Sequence, residues 1–261
     1  MPNTITTKTE ASAKIDYGID APGLVRFFIA AGSIALIMAI FADFLLSSAS
    51  LWMIAVKLLL GLVAIYLLGM GSLMLYWSKF TKVRGREKVL DLLLWRGDER
   101  VLDVGCGRGL MLIGAAQRLT TGRAIGVDIW EAKDQSANSA QAALDNACLT
   151  GVQDKIEIQT ADARTLPFPN QTFDVVVSHW VVHNLTSEED RFRALSEMVR
   201  VLRPKGRLVL ADIENRDAYL AFLESCGMQD SKMTFNPVAD AILGAVSFGS
   251  FRPTTILATK P

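Results

Sequence analysis

The sequence predicts an α/β protein: a doubly wound parallel sheet preceded by a helical hairpin long enough to cross a membrane. Three observations carry that expectation. Apolar residues are concentrated between 24 and 77 rather than spread along the chain. From about residue 83, short apolar runs alternate with amphipathic stretches, as strands and helices of a parallel sheet do. The first of those runs ends in three glycines at alternate positions, Gly105, Gly107 and Gly109.

The hairpin comes first. FFIAAGSIALIMAIFADFLL (27–46) holds one charge, Asp43, and LWMIAVKLLLGLVAIYLLGMGSLMLYW (51–77) holds one, Lys57. About twenty apolar residues cross roughly 30 Å of hydrocarbon, so both segments qualify. Only SSAS (47–50) lies between them, which makes the helices antiparallel. Asp43 and Lys57 then fall at similar depth, where they pair or Lys57 snorkels to the interface. Lys79, Lys82, Arg84, Arg86 and Lys88 crowd the exit of the second span, while the link has no basic residue. The positive-inside rule therefore puts both termini and the following domain in the cytoplasm. The expected division is a tail over 1–23, a hairpin over 24–78 (helices about 24–46 and 51–77), a basic linker and first helix over 79–98, and an α/β domain over 99–261. Glu10, Asp16 and Asp20 in the leader, and a second span directly afterwards, argue against a signal peptide. A buried hairpin inside a soluble fold is the alternative.

Beyond the hairpin, REKVLDLLLW (86–95) reads as a helix with an apolar stripe and RVLDVG as a buried strand. LMLIGAAQRL is a helix, RAIGVDIW a strand, and SANSAQAALDNACL a helix stopped by Gly151. KIEIQTAD is a strand, LPFPNQTF a loop and DVVVSHW a strand. SEEDRFRALSEMVRVL is an amphipathic helix with Ser187 as its N-cap. RPKG reads as a turn, RLVLADI as a strand, DAYLAFLESCG as a helix stopped by Gly227, and TTILATK as the last strand. Ligands of such sheets bind beyond the carboxyl ends of the strands.

Composition narrows the function. A net charge of zero gives no reason to expect a nucleic-acid partner. Cys106, Cys148 and Cys226 are odd in number and widely spaced, against a disulfide scaffold or structural zinc and in favour of a reducing compartment. Both histidines, His179 and His183, lie in SHWVVHNL. A strand-to-loop transition separates them, so they share no helical face for a metal, and none is expected.

VLDVGCGRGL has the spacing GxGxG, whose glycines admit positive φ and close approach of a ligand to the backbone. A dinucleotide fingerprint would need glycine where Leu110 stands, which disfavours NAD. Asp103 precedes the loop. Asp128 ends the second strand, where a carboxylate can accept both hydroxyls of a ribose. Asp162 follows the third strand, placed to accept from an exocyclic amine. Through VLDVGCGRG, GVDIW, ADARTLPFPNQTFDVVVS and VLRPKGRLVLADI, in order and spacing, residues 86–261 resemble class I S-adenosylmethionine-dependent methyltransferases. The nearest branch is the type 11, ubiquinone/menaquinone methyltransferase-like group. The resemblance does not extend to the hairpin.

It implies a Rossmann-like sheet with an antiparallel last strand, S-adenosylmethionine as cofactor, and methyl transfer to a small-molecule acceptor. It also implies that the backbone of Gly105, Cys106, Gly107 and Gly109 faces the methionine moiety and that Asp103 approaches its amino group. By the same resemblance, Asp128 holds the ribose and Ile129 or Trp130 covers the adenine. Asp162 with the Ala163 amide reads the adenine edge, and Ser178 and His179 line the methionine end. His183 and Asn184 are the catalytic candidates, His183 as a general base or as a structural or substrate-orienting residue. Cys106 carries no nucleophilic role.

A sulfonium methyl reacts by in-line displacement, so alignment supplies much of the rate, and a base matters only if the acceptor is a hydroxyl. The hairpin makes the bilayer a partner and favours a lipophilic acceptor such as a quinone, isoprenoid or lipid-like molecule. A soluble acceptor such as a thiol, and a non-catalytic cofactor-binding scaffold, are the alternatives. NPVADAILGAVSFGSF (236–251), with the single charge Asp240, reads as a lid, a membrane-touching flap, or a surface helix on the sheet edge.

Overall fold

The computed structural model describes residues 14–45 and 50–261. Residues 46–49, which include most of the expected link 47–50, and the Asp43 side chain lie outside the described residues, and with them the expected Asp43–Lys57 pair. Helices α1 (Pro22–Leu45) and α2 (Leu51–Tyr76) pack antiparallel through small residues. A Cβ on Gly32 would meet the Leu68 side chain at 2.9 Å, and one on Gly71 would meet Ile29 at 2.9 Å. The missing side chains let the backbones close, the usual device where helices pack without water to drive them together. Both helices are long and apolar enough to cross a membrane, and only 17% and 6% of their most apolar windows are buried. A core helix of a soluble domain would bury most of such a window.

The second helix does not end at the basic cluster. It continues through a π-helical turn, Trp77–Thr81, into α3 (Lys82–Leu90), forty helical residues from Leu51 to Leu90. It stops at Leu90, short of Trp95, whose indole Nε1 donates to the Leu90 carbonyl at 2.9 Å. Lys79, Arg84 and Lys88 are exposed, but Lys82 and Arg86 point inward. They face a strap, residues 14–21, whose polar groups need donors. Lys82 Nζ pairs with Asp20 at 2.7 Å and donates to the carbonyls of Tyr17 and Gly18. Arg86 donates to the Tyr17 hydroxyl. Two of the five charges assigned to the membrane flank are therefore internal.

The sheet has the order β3-β2-β1-β4-β5-β7-β6. Its strands are β1 (Arg100–Val104), β2 (Arg123–Asp128), β3 (Ile156–Thr160), β4 (Phe173–His179), β5 (Leu202–Asp212), β6 (Gln229–Thr234) and β7 (Thr254–Thr259). The first five run parallel and β7 is antiparallel to both neighbours. Alternation splits the core. Val101, Val175, Val177 and Val209 face α3, α4 (Leu110–Arg118) and α5 (Ala140–Thr150). Leu102, Val104, Val176 and Leu208 face α6 (Glu188–Val201) and α7 (Arg216–Ser225). Ser187 and Ser139 cap α6 and α5. RPKG is not a free turn but a bulge inside β5. Leu202 pairs with Phe173, Lys205 takes φ 62°, and pairing resumes at Arg207 with Val175. β1 lies between β2 and β4, so strand order reverses at its carboxyl end, where a doubly wound sheet opens a crevice.

Replacing Gly32 with Ile should wedge α1 from α2 and cost about 1–3 kcal/mol, read as a lower thermal unfolding midpoint in detergent. Ile at Gly61, which has nothing within 4 Å, should leave it unchanged.

Candidate functional site

The crevice is floored by the glycine loop. Gly105, Gly107 and Gly109 have φ of 76°, 51° and 85°, a backbone that side-chain-bearing residues rarely adopt. A Cβ on Gly105 would collide with Val181 at 2.2 Å, so the segment after β4 packs directly on the loop. Asp128, at the tip of β2, locks the loop in place: Oδ2 accepts from the Gly107 amide at 2.8 Å, and Oδ1 from the Trp130 amide at 2.6 Å and Asn138 Nδ2 at 3.2 Å. Gln135 Oε1 accepts from the Arg108 amide at 2.9 Å.

Asp103 is buried, and neither of its oxygens has a hydrogen-bond partner. Burial pushes its pKa up to about 8; the nearby Leu112 backbone amide opposes the rise and the Asp128 charge adds to it. A buried carboxyl with no side-chain partner, beside a second carboxylate and a glycine cradle, suits a cationic ligand group. These residues fit an amino acid sulfonium such as S-adenosylmethionine. Asp162 is differently engaged: Arg164 grips it through Nε at 3.0 Å and the outer nitrogen at 2.6 Å, which holds the carboxyl below its ordinary range. Ala163 packs partly buried on the core. The Trp130 indole donates to Thr160 Oγ1 at 2.8 Å, and Ile129 is half exposed beside it. Ser178 is buried, its hydroxyl donating across the sheet to the Val104 carbonyl at 3.0 Å, and the Cys106 thiol packs against Gly126 with its pKa raised by burial.

The two histidines part company. His179 stacks on Trp180 at 5.0 Å, and burial pulls its pKa down to about 4, so it is neutral at physiological pH. Trp180, at φ 59°, also stacks on Trp77 of the π turn at 6.3 Å and takes the edge of Phe251 at 5.7 Å. His183, in a 3₁₀ turn (Val182–Asn184), forms a dyad with Asp212. Its Nδ1 lies 2.5 Å from Asp212 Oδ1, and its amide donates to Oδ2 at 3.2 Å. Burial opposes the charged ring, but the Asp212 hydrogen bond and charge, with Glu214 and Asp134, outweigh it and raise the His183 pKa. Asn184 Nδ2 turns back to the Trp180 carbonyl at 3.5 Å.

The structure thus brings Asp103, the glycine loop and Asp128 together at one end of the sheet, with His183 close to the β2–α5 loop through Asp134. Asp162 carries an ion pair with Arg164, and the Ser178 hydroxyl bonds across the sheet. Sequence reasoning missed Asp212, although an aspartate ending the strand beside β4 satisfies the carboxyl-end rule that selected Asp128. It also missed the strap and Gln135, which lie in irregular segments without periodicity.

Residues 102–210 match the methyltransferase domain family Methyltransf_11. The chain is 30% identical over 169 residues to the 27-O-demethylrifamycin SV methyltransferase of Amycolatopsis mediterranei, covering 64% of this chain and 55% of that protein. It is 40% identical over 116 residues to the demethylmenaquinone methyltransferase of Symbiobacterium thermophilum, covering 44% and 43%. The chain spans about half the length of the curated relatives it matches. The crystal structure of geranyl diphosphate C-methyltransferase from Streptomyces coelicolor, with Mg2+, geranyl diphosphate and S-adenosyl-L-homocysteine, superposes with a TM-score of 0.55 at 18% identity, over 68% of this chain and 79% of that one. The fold is therefore the α/β methyltransferase fold, a seven-stranded, mostly parallel sheet with one antiparallel strand, here preceded by two apolar helices.

Asp103→Asn should change how stability depends on pH. Its folded pKa lies above the unfolded value of about 3.9, so between the two the unfolded chain releases a proton that the folded chain keeps. Stability falls as pH rises through that window, up to about 8, by as much as ~1.4 kcal/mol per unit. Without added cofactor, the variant's melting temperature should decline less than the parent's from pH 5 to 8.

Proposed function

We propose that the protein is an S-adenosylmethionine-dependent methyltransferase, held at a membrane by α1 and α2, that methylates a small lipophilic acceptor after His183 removes its proton. The observation that carries this reading is the His183–Asp212 dyad, set between the glycine loop and the base of the apolar hairpin. S-adenosylmethionine supplies an electrophilic methyl when bound. The glycine-loop backbone and Asp103 hold its methionine portion. Asp128, already oriented by Gly107 and Trp130, receives the ribose, and Ile129 and Trp130 flank the adenine. Asp162 serves the adenine edge only by sharing its carboxylate with Arg164.

His183 donates Nδ1–H to Asp212, which fixes the tautomer and leaves Nε2 as the nitrogen that takes a proton, the logic of base-orienter pairs. An acceptor hydroxyl or an acidic ring carbon needs such a base; a thiolate does not. Neutral His179 is a poor competitor for that role and acts as a shelf under Trp180. Trp77, at the foot of α2, stacks on Trp180, so the acceptor edge of the site is built partly from the hairpin itself. That favours a lipophilic acceptor over a soluble one. Both termini and the 99–261 domain lie on the cytoplasmic side, an orientation that exposed Lys79, Arg84 and Lys88 support.

Detergent-purified protein incubated with radiolabelled S-adenosylmethionine and separate lipid and aqueous metabolite extracts should label the lipid extract; label confined to the aqueous one would sink the lipophilic reading. Asp128→Ala should weaken cofactor binding at least tenfold by calorimetry. The kcat/KM should rise with pH as His183 loses its proton, at a midpoint above the usual histidine value. Asp212→Asn should move that midpoint down and lower the plateau with little change in cofactor affinity.

A further inference from the structure

The 236–251 segment, between β6 and β7, contains helix α8 (Pro237–Val246), capped by Asn236, whose side chain accepts from the Val238 and Ala239 amides. Its only charge, Asp240, is buried between Arg216 and Arg252, at 2.9 Å from each. What it turns outward is apolar. Val238, Ala241, Ile242 and Ala245 form an exposed stripe at helical spacing, followed by Phe248, 89% exposed. A soluble surface helix would place its charge on that stripe and its apolar residues beneath; α8 does the reverse.

The helix is also docked on the hairpin. The Tyr66 hydroxyl donates to the Val246 carbonyl at 2.7 Å, and its ring meets Phe248 edge-on at 6.4 Å. At the other end of the same segment, Phe251 and Trp77 both pack on Trp180. Val246 and Phe248 therefore meet α2 at the level of Tyr66, while Phe251 reaches Trp180, which stacks at the level of Trp77. Eleven residues separate those levels, about 16 Å at 1.5 Å per residue. Tyr76, Trp77 and Phe80 form an aromatic band at the foot of α2, the composition of a headgroup-level belt. With that band at headgroup level, the carboxyl end of α8 would lie well inside the hydrocarbon of one leaflet.

We propose that α8 is a second membrane contact, a helix embedded in the same leaflet as Tyr66, with its exposed stripe in contact with lipid. The inference rests on the membrane reading of the hairpin and goes beyond it, since two spans alone would tether the domain without wetting its acceptor side with lipid. An apolar outward face, a charge neutralised inside and attachment to a spanning helix are what such an embedded helix needs. Its consequence is that the Trp180 edge of the site abuts the leaflet, so a lipophilic acceptor reaches His183 without crossing water.

The test uses full-length protein in phosphatidylcholine–phosphatidylglycerol vesicles, with Cys148→Ser and Cys226→Ser; Cys106 is buried and its thiol pKa is raised, so it does not label. Single cysteines at Ile242, Phe248, Leu58 on α2 and Glu224 on α7 carry a nitroxide, and power saturation compares oxygen with a water-soluble nickel chelate. The expected result is oxygen-dominated accessibility at 242, 248 and 58 and nickel-dominated accessibility at 224. A nickel-dominated signal at 242 and 248 with oxygen dominance at 58 would overturn the proposal and leave the hairpin reading standing. Nickel dominance at 58 removes the hairpin reading and this proposal with it.

Discussion

Lys82 and Asp20 hold three parts of the molecule in one arrangement. The pair, 2.7 Å apart with the lysine almost wholly buried, sits where the long α2–α3 helix crosses the strap. The π turn puts Ser78 on the same face, and its hydroxyl binds Asp20 through both amide and carboxylate. Removing one partner of such a pair strands a buried charge, at a cost of about 3–5 kcal/mol. Burial pulls the Lys82 pKa down, and the Asp20 charge and hydrogen bond restrain that fall. From Asp20 the strap runs back to Asp16, which receives Arg108 at 2.9 Å and exchanges hydrogen bonds with Asn146. Asn146 in turn bonds the Arg108 carbonyl beside Gly107 and Gly109. An unbroken series of polar contacts thus joins the hairpin to the glycine loop. The strap thereby couples the foot of α2 to the loop.

The site divides its titratable groups by environment. Asp103 is raised because it is buried beside a second carboxylate, and a cationic ligand group would reverse that penalty. His179 and His183 are four residues apart, yet one is pulled down by burial while the other is lifted by a carboxylate it touches. Only the second is paired with a carboxylate, Asp212.

Much of the fold was legible. Hydrophobic period, the glycines after β1 and the caps at Ser187 and Gly151 are local signals, and the elements they mark are present. The failures were non-local. RPKG has turn composition, but pairing on either side carries it into β5 as a bulge. Lys82 and Arg86 counted toward a membrane flank because charge counting ignores helical face, and both lie on the face that meets the strap.

What the sequence by itself determined is the alternation of strand and helix, the apolar length of α1 and α2, and the placing of Asp103 and Asp128 at the carboxyl ends of β1 and β2 and of His183 in the turn after β4, all set by spacing of a few residues along the backbone. Tertiary structure decided the partnerships. Asp212 meets His183 across adjacent strands, Asp162 is occupied by Arg164, Trp77 meets Trp180 across a hundred residues, and α8 turns its apolar stripe outward. Each of these depends on which distant segment fills the neighbouring space, and a one-dimensional pattern carries no term for that.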